Sequence, residues 1–137
     1  MWIAVTPEPI RPEEVVARVH APEHGGILCF VGTVRNRSWE RRVLHLEYEA
    51  YPEMAEAKLQ EIAGEILQRW DVADVAIVHR VGRLQVGEVA VVIALAAAHR
   101  RDLFPACQHA VDRLKEIVPI WKKEVFEGGE EWVSEHP

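Results

Sequence analysis

Cysteine is scarce in this 137-residue sequence, and that scarcity argues against two classes of small protein. The two cysteines, Cys29 and Cys107, lie far apart in apolar surroundings, with no CxxC pair and no neighbouring histidine at metal-ligand spacing. The sequence therefore favours neither a disulfide-stapled scaffold nor a zinc site. We expect both thiols to be reduced core residues, as in a cytosolic protein.

The sequence also lacks any long uninterrupted apolar run. A membrane-spanning helix needs roughly 18 or more consecutive apolar residues, and no segment reaches that length. The first seven residues have neither the basic stretch nor the sustained apolar run of a secretory signal. We therefore expect no membrane association and a cytoplasmic location.

Positive charge is in short supply overall, since the net charge is -6. This balance argues against general nucleic-acid binding. The charges are unevenly distributed, however: residues 47–65 hold six carboxylates and one lysine, whereas residues 100–123 hold six Arg or Lys and three acids. A locally basic segment in an acidic protein indicates a small anionic ligand rather than a polyanion.

The chain has enough apolar material for one compact core. Its length is typical of a single domain, and 49% of its residues are hydrophobic. No internal repeat, linker or low-complexity stretch divides it. We therefore predict one domain over residues 1–137.

Apolar periodicity predicts three helices and at least five strands. The helices are predicted over residues 12–20, 52–70 and 102–118, each with a proline in its first turns. The strands are predicted over residues 27–34, 43–50, 72–78, 89–97 and 120–126, with a further edge at 132–133. Strands 27–34 and 43–50 are expected to pair across a basic loop at 36–42. This order predicts the α+β class, a mixed sheet with helices packed on it.

A His-Arg pair, His99 and Arg100, lies at the predicted junction between strand 89–97 and helix 102–118. Exposed N–H groups and the positive end of a helix dipole favour anions at such a junction, and the planar fork of an arginine suits phosphate. The alternative is that His99 caps the helix or lies in the core and Arg100 is a solvated charge.

Three lysines surround the end of the same helix. Lys115 falls in the last turns, where the dipole favours a cation, so a surface lysine explains it equally well. Alternation in the strand that follows places Lys122 opposite Lys123, and one of the two should face inward. A lysine held beside apolar groups and other cations has a lowered pKa and can act as a nucleophile or as a general acid or base.

Arg35 and the arginines of the following loop form a second basic cluster. If the strand ending at Arg35 neighbours the strand ending at His99, the two clusters converge on one pocket for an anionic ligand, and this pocket also holds Lys115. The alternative is a solvated basic loop. A second His-Arg pair, His79 and Arg80, leads into a turn and is interpreted as structural.

Several of these segments, in this order, resemble one family. The matching segments are Phe30-Val31-Gly32-Thr33-Val34-Arg35, Leu46-Glu47-Tyr48-Glu49-Ala50-Tyr51 with Met54-Ala55, His79-Arg80-Val81-Gly82 with Val86-Gly87-Glu88, Ala98-His99-Arg100, the run from Asp112 to Glu124, and Trp132-Val133. Together they resemble the large, catalytic subunit of molybdopterin synthase, the MoaE family. The resemblance spans nearly the whole chain.

The resemblance implies an α/β hammerhead fold and a homodimer that binds a small ubiquitin-like sulfur carrier at each end, giving a heterotetramer. It implies that the carrier's C-terminal Gly-Gly, as a thiocarboxylate, enters the large subunit's pocket and donates sulfur. Two such transfers would convert cyclic pyranopterin monophosphate into the dithiolene of molybdopterin. No metal and no organic cofactor is implied for this subunit.

The resemblance also assigns residues. Lys115 matches the family lysine beside the carrier's terminal glycine, and Lys122 matches a lysine that assists substrate binding and acid/base steps. Other positions match the pterin phosphate site and its surrounding wall, namely Arg35, His99 and Arg100 for the phosphate and Thr33, Val34, Lys123 and Glu124 for the wall. Fixed cations suit this chemistry because negative charge develops as sulfur is added.

Two places depart from the family pattern. Trp39-Glu40-Arg41 stands where family members often have a glycine, and His136, near the position of a family arginine, is assigned no role.

Two other functions fit part of the pattern. A Schiff-base lyase would use the paired lysines on a carbonyl substrate, and a phosphate-binding module would use the cations only as charges.

Overall fold

The computed structural model describes residues 1–38 and 41–133. Trp39, Glu40 and His136, which the sequence comparison singled out, lie outside these ranges. The described elements, in chain order, are β1 (Trp2–Thr6), α1 (Pro12–Val19), β2 (Gly26–Thr33), β3 (Arg37–Ser38), β4 (Arg41–Ala50), α2 (Pro52–Arg69), β5 (Asp74–Arg80), β6 (Gly82–Gln85), β7 (Val89–Ala97), α3 (Leu103–Ile117), β8 (Ile120–Phe126) and β9 (Gly129–Val133). The three predicted helices and five long strands are all present, and the predicted α+β class is confirmed.

The strands form two sheets, not one. The first has the order β1-β5-β7-β2, in which only the β1–β5 pair is parallel. The second has the order β3-β4-β8-β9, with β6 also paired to β4. The predicted pairing of strands 27–34 and 43–50 is therefore wrong, because β2 pairs with β7 in one sheet and β4 pairs with β8 in the other.

Three short strands, β1, β3 and β6, were not predicted from the sequence. β1 and β6 are too short for periodicity to reveal, and β3 lies in the segment predicted to be a loop. Gly82, with φ 93°, lies where the chain leaves β5 and enters β6 in the second sheet. Because a positive φ suits glycine, this position lets the chain change sheets within two residues.

The first sheet is covered on both faces. Alternate residues of β5 and β7 point to α2 and α3 on one side and to α1 on the other. Leu59, Ile62 and Ile66 of α2 are fully buried against this sheet. Each contributes about 1.5–3 kcal/mol of hydrophobic stabilisation. Burial on both faces explains why strands β5 and β7 are nearly continuous apolar runs in the sequence.

Strand β4 departs from simple alternation near its start. A β-bulge shifts its register against β8 between Val43 and His45. Val43 is therefore buried and Leu44 is 45% exposed, whereas uninterrupted alternation places Leu44 on the buried face with Leu46. Beyond the bulge the predicted pattern holds, and Leu46 and Tyr48 pack in a small core under the second sheet.

Candidate functional site

A cleft of about 710 Å³ lies where helix α3 meets the two sheets. Residues from β2, β4, β5, β7, α3, β8 and β9 line it, together with Arg35 and Val118 from connecting segments. Its wall combines an apolar part with a cationic part. The polar lining residues are Thr33, Arg35, Tyr48, His79, Lys115, Glu116 and Lys122. The cleft is thus assembled from segments far apart in the sequence.

Lys122 is the deepest cation of this cleft. It is only 6% exposed, whereas its neighbour Trp121 on β8 is 48% exposed. Lys123 points to the other face, where its ammonium lies 2.7 Å from the Glu47 carboxylate and over the Trp132 ring. The prediction that one lysine of this strand faces inward is confirmed.

Burial lowers the pKa of Lys122 to about 8, because a charged ammonium loses hydration inside the protein. This value already includes the charge of the Glu124 carboxylate, which raises the pKa, and the positive charges of Arg35 and Lys115, which lower it. Near pH 8 the charged and neutral forms of this lysine are therefore present in comparable amounts. Such a group can exchange protons or stabilise a developing anion.

Arg35 and Lys115 reach the cleft from different elements. Arg35 follows the C-terminal end of β2, and Lys115 lies in the last turn of α3. The helix ends at Ile117. Val118 and Pro119 then lead directly into β8, which brings Lys122 back to the same cleft. Three cations in one partly apolar cleft favour an anionic ligand.

His99 and Arg100 do not line this cleft within one chain. Strands β2 and β7 are antiparallel, with Gly26 opposite Ala97 and Thr33 opposite Val89. The end of β7 that leads to His99 therefore lies at the start of β2, about 25 Å of strand length from the end that leads to Arg35. The expectation that both clusters converge within one chain is wrong, because neighbouring strands end together only when they are parallel.

Three other residues matched to the pocket wall lie outside the cleft lining. Val34 is buried in the small core under the second sheet, and Lys123 is on the outer face described above. Glu124 is 2% exposed and lies behind the cleft, where it pairs with Arg41. Thr33 is the wall residue that does line the cleft. Contact of any of these residues with a substrate stays a prediction.

Two lining residues were not singled out for the site from the sequence. His79 is 4% exposed, and burial lowers its pKa to about 4. Its Nδ1 lies 2.7 Å from the Arg80 carbonyl oxygen, which fixes the proton on Nδ1 and leaves Nε2 unprotonated. Burial and the charge of Glu124 raise the pKa of Tyr48 to about 12, so its phenol stays protonated.

The rings of His79 and Tyr48 meet edge to face at 5.1 Å and close one wall of the cleft with uncharged polar groups. The sequence did hold a sign of this wall. Tyr48 places a hydroxyl on the otherwise apolar face of β4, and His79 is a polar residue at the end of a buried strand.

Within residues 1–38 and 41–133, no group of three or more His, Cys, Asp or Glu side chains is arranged to hold a metal ion. In the same ranges, none of the helices is both long and apolar enough to span a membrane. The polar groups that line the cleft are its three cations, the Tyr48 phenol, the His79 imidazole, the Thr33 hydroxyl and the Glu116 carboxylate.

Comparison with known proteins gives one consistent match. The model of the MoaE protein family matches residues 5–117. The molybdopterin synthase catalytic subunit of Halalkalibacterium halodurans is 51% identical over 96% of this chain and 85% of its own length. The Bacillus subtilis catalytic subunit is 45% identical over 96% and 83%. A crystal structure of molybdopterin synthase from Staphylococcus aureus superposes with a TM-score of 0.90 at 41% identity and covers 95% of each chain.

Proposed function

The chain belongs to the MoaE family of molybdopterin synthase catalytic subunits, enzymes of molybdenum cofactor biosynthesis, and we propose that its basic cleft is where sulfur is transferred. The donor would be the C-terminal thiocarboxylate of a small ubiquitin-like carrier, and the acceptor cyclic pyranopterin monophosphate. Two transfers would give the dithiolene of molybdopterin. The observation that carries this proposal is the meeting of Arg35, Lys115 and Lys122 in one partly apolar cleft.

Both proposed reactants are anions, and this supports the cationic cleft as their meeting place. A thiocarboxylate and a phosphate repel each other unless positive charge lies between them. Lys115 and Arg35 are placed to supply that charge, and Lys122 on β8 adds a more deeply buried cation. We assign Lys115 to the carrier's terminal acyl group and Lys122 to the pterin and its proton transfers.

The apolar part of the cleft suits a narrow peptide tail. Phe30, Leu114 and Ile120 line it together with small residues such as Gly32. A tail that ends in Gly-Gly has no side chains near its reactive end, so it can reach the lysines through a restricted opening. The relatives are named catalytic subunits, which supports an assembly with at least one other chain.

His99 and Arg100 keep their proposed role at the phosphate, but from a second copy of the chain. Strand β2 is at the edge of its sheet, and its Phe30 and Val31 are 37% and 39% exposed. If two β2 strands pair antiparallel about a twofold axis, the start of one lies beside the end of the other. The partner's His99 and Arg100 then approach Arg35 of the first chain. Within a single chain, the antiparallel pairing of β2 and β7 keeps these residues apart.

Reconstitution tests the proposed activity. The purified chain, a thiocarboxylated carrier and cyclic pyranopterin monophosphate should together form molybdopterin, and carrier with an ordinary carboxylate should not. If no product forms with a carrier shown to bind the chain, the proposal fails. Residues 1–137 acting as one domain, and a cytoplasmic location, stay predictions.

A further inference from the structure

Arg41 lies outside the cleft lining but is anchored behind it. At the start of β4, its side chain reaches across the second sheet, where Nη2 lies 3.2 Å from Glu124 Oε1 and Nη1 binds the Glu131 carboxylate. Its guanidinium also lies over the Phe126 ring, 4.3 Å from the centroid. The sequence predicted a basic loop here, and the structure shows an arginine fixed by three contacts.

Its partner Glu124 is a buried carboxylate, 2% exposed. A buried carboxylate is costly unless a cation or hydrogen-bond donors compensate it, and the Arg41 guanidinium forms an ion pair with this one. Glu124 is two residues from Lys122 on β8, so the two side chains leave the strand on the same face. Both are buried, whereas the residue between them is on the outer face.

The charge of Glu124 acts on two groups of the cleft. It raises the pKa of Lys122 against the effects of burial, Arg35 and Lys115, and it raises the pKa of the Tyr48 phenol. Tyr48 and Lys122 are directly opposite each other in the β4–β8 register. The Glu124 carboxylate thus favours the protonated forms of Tyr48 and Lys122, which lie opposite each other and both line the cleft.

We propose that Arg41 is a positioning residue, whose guanidinium holds Glu124 behind the cleft and offsets part of the negative charge that Glu124 presents to Lys122. This inference rests on the proposed function of the cleft. Among the described residues, Glu124, Arg35 and Lys115 act on Lys122 through their charges, and Tyr48, His79 and Glu116 line the same cleft. Of these, Glu124 is the one that Arg41 contacts.

The inference predicts opposite signs for two substitutions. Without the guanidinium, the charge of Glu124 is less compensated and a nearby positive charge is lost. Both effects favour protonated Lys122, so Arg41→Gln should raise its pKa. Glu124→Gln removes the carboxylate charge and should lower it.

The test is an NMR titration of the Lys122 side chain in the full-length protein without substrate, so that it does not depend on turnover. Arg41→Gln should raise the pKa of Lys122 by roughly half a unit or more. Arg42→Gln is the matched control, because it removes a cation from the adjacent exposed position of β4. Arg41→Lys keeps the charge and should leave the pKa near its wild-type value.

The double variant Arg41→Gln/Glu124→Gln shows whether Arg41 acts through Glu124. In the Glu124→Gln background, Arg41→Gln should raise the pKa of Lys122 clearly less than it does in the wild type, because only the direct loss of positive charge remains. An unchanged pKa in folded Arg41→Gln, an equal change in Arg42→Gln, or a full Arg41 effect in the Glu124→Gln background would overturn the inference. Thermal unfolding identifies any variant that fails to fold, and the Arg41→Lys, Arg41→Gln and Arg42→Gln comparison stands without the double variant.

The pH profile of sulfur transfer separates this inference from the proposed function. If Lys122 takes part in the reaction, the alkaline limb of the rate profile should move upward in Arg41→Gln along with the pKa. A moved pKa with an unmoved rate profile would support the Arg41–Glu124 inference and contradict the proposed role of Lys122.

Discussion

Lys115 and Lys122 line one cleft, and the positive charge of Lys115 lowers the pKa of Lys122. One is in the last turn of α3 and the other in the strand that follows it. Two lysines that line one cleft repel each other, and an anion bound beside them would relieve that repulsion. This relationship links the local sequence around Pro119 to the chemistry of the cleft.

The first prediction concerns the pH dependence of sulfur transfer. If Lys122 acts in its charged form, turnover should fall as pH rises through about 8, the pKa of this lysine. Lys122→Arg, whose guanidinium stays charged, should move the fall to higher pH while reducing the rate. Initial rates measured from about pH 6 to about pH 10 test this. A profile that rises through pH 8 would show instead that neutral Lys122 is the active form.

The second prediction concerns stability. The pKa of Lys122 falls from 10.5 to about 8 on folding, so the unfolded chain binds more protons between these two values. Stability should therefore rise with pH across that window. Lys122→Met removes the buried charge and should stabilise the fold at pH 7 by up to about 3 kcal/mol, with the gain shrinking toward pH 10.5. Denaturant unfolding at several pH values measures it, and a destabilised Lys122→Met at pH 7 would contradict the account of burial.

The third prediction concerns the role of the second copy. Arg35→Ala and Arg100→Ala should each be inactive alone, because each removes one side of every phosphate site. Mixed after unfolding and refolding together, they should recover about a quarter of wild-type activity, since half of the dimers are mixed and each has one intact site. No recovery in dimers shown to be mixed would mean that Arg35 and Arg100 do not act across the dimer.

The fourth prediction concerns the contact between α2 and α3. The Glu65 carboxylate accepts hydrogen bonds from Arg113, at 3.0 and 3.1 Å, and lies 2.7 Å from His109 Nε2. The Arg113 hydrogen bonds are the main cause of its lowered pKa, so its contribution to stability is present above its ordinary pKa and lost as pH falls through the lowered one.

Glu65→Gln should therefore lower the melting temperature by a few degrees at neutral pH and have little effect in acid. Glu61→Gln, which breaks only the exposed pair with Lys58, serves as the control. Equal melting temperatures for Glu65→Gln and the wild type at pH 7 would show that this network contributes nothing measurable.

The sequence predicted the long elements because their apolar patterns are set locally. Residues 52–70 and 120–126 follow a helix and a strand period closely, and both predictions agree with the structure to within a residue. The partners of the strands were not predictable in the same way. Whether β2 pairs with β4 or β7 depends on contacts between distant residues, which no local period encodes.

The same distinction holds in the site. Alternation alone predicted that one of Lys122 and Lys123 faces inward, because the direction of a side chain in a strand is a local property, and the structure shows that it is Lys122. Two other features depend on strand pairing, which no local pattern predicts. The antiparallel pairing of β2 and β7 separates His99 from Arg35, and the pairing of β4 with β8 brings Arg41 to Glu124. Tyr48 and His79 joined the cleft wall because two different sheets meet there.

The most direct test of the central claim is single-turnover sulfur transfer by Lys115→Ala with a thiocarboxylated carrier and cyclic pyranopterin monophosphate. Lys58→Ala, on the exposed face of α2, is the matched control. The account predicts that Lys115→Ala folds and binds the carrier but loses transfer by roughly a hundredfold or more, whereas Lys58→Ala keeps the wild-type rate. Wild-type transfer by folded Lys115→Ala would contradict the account.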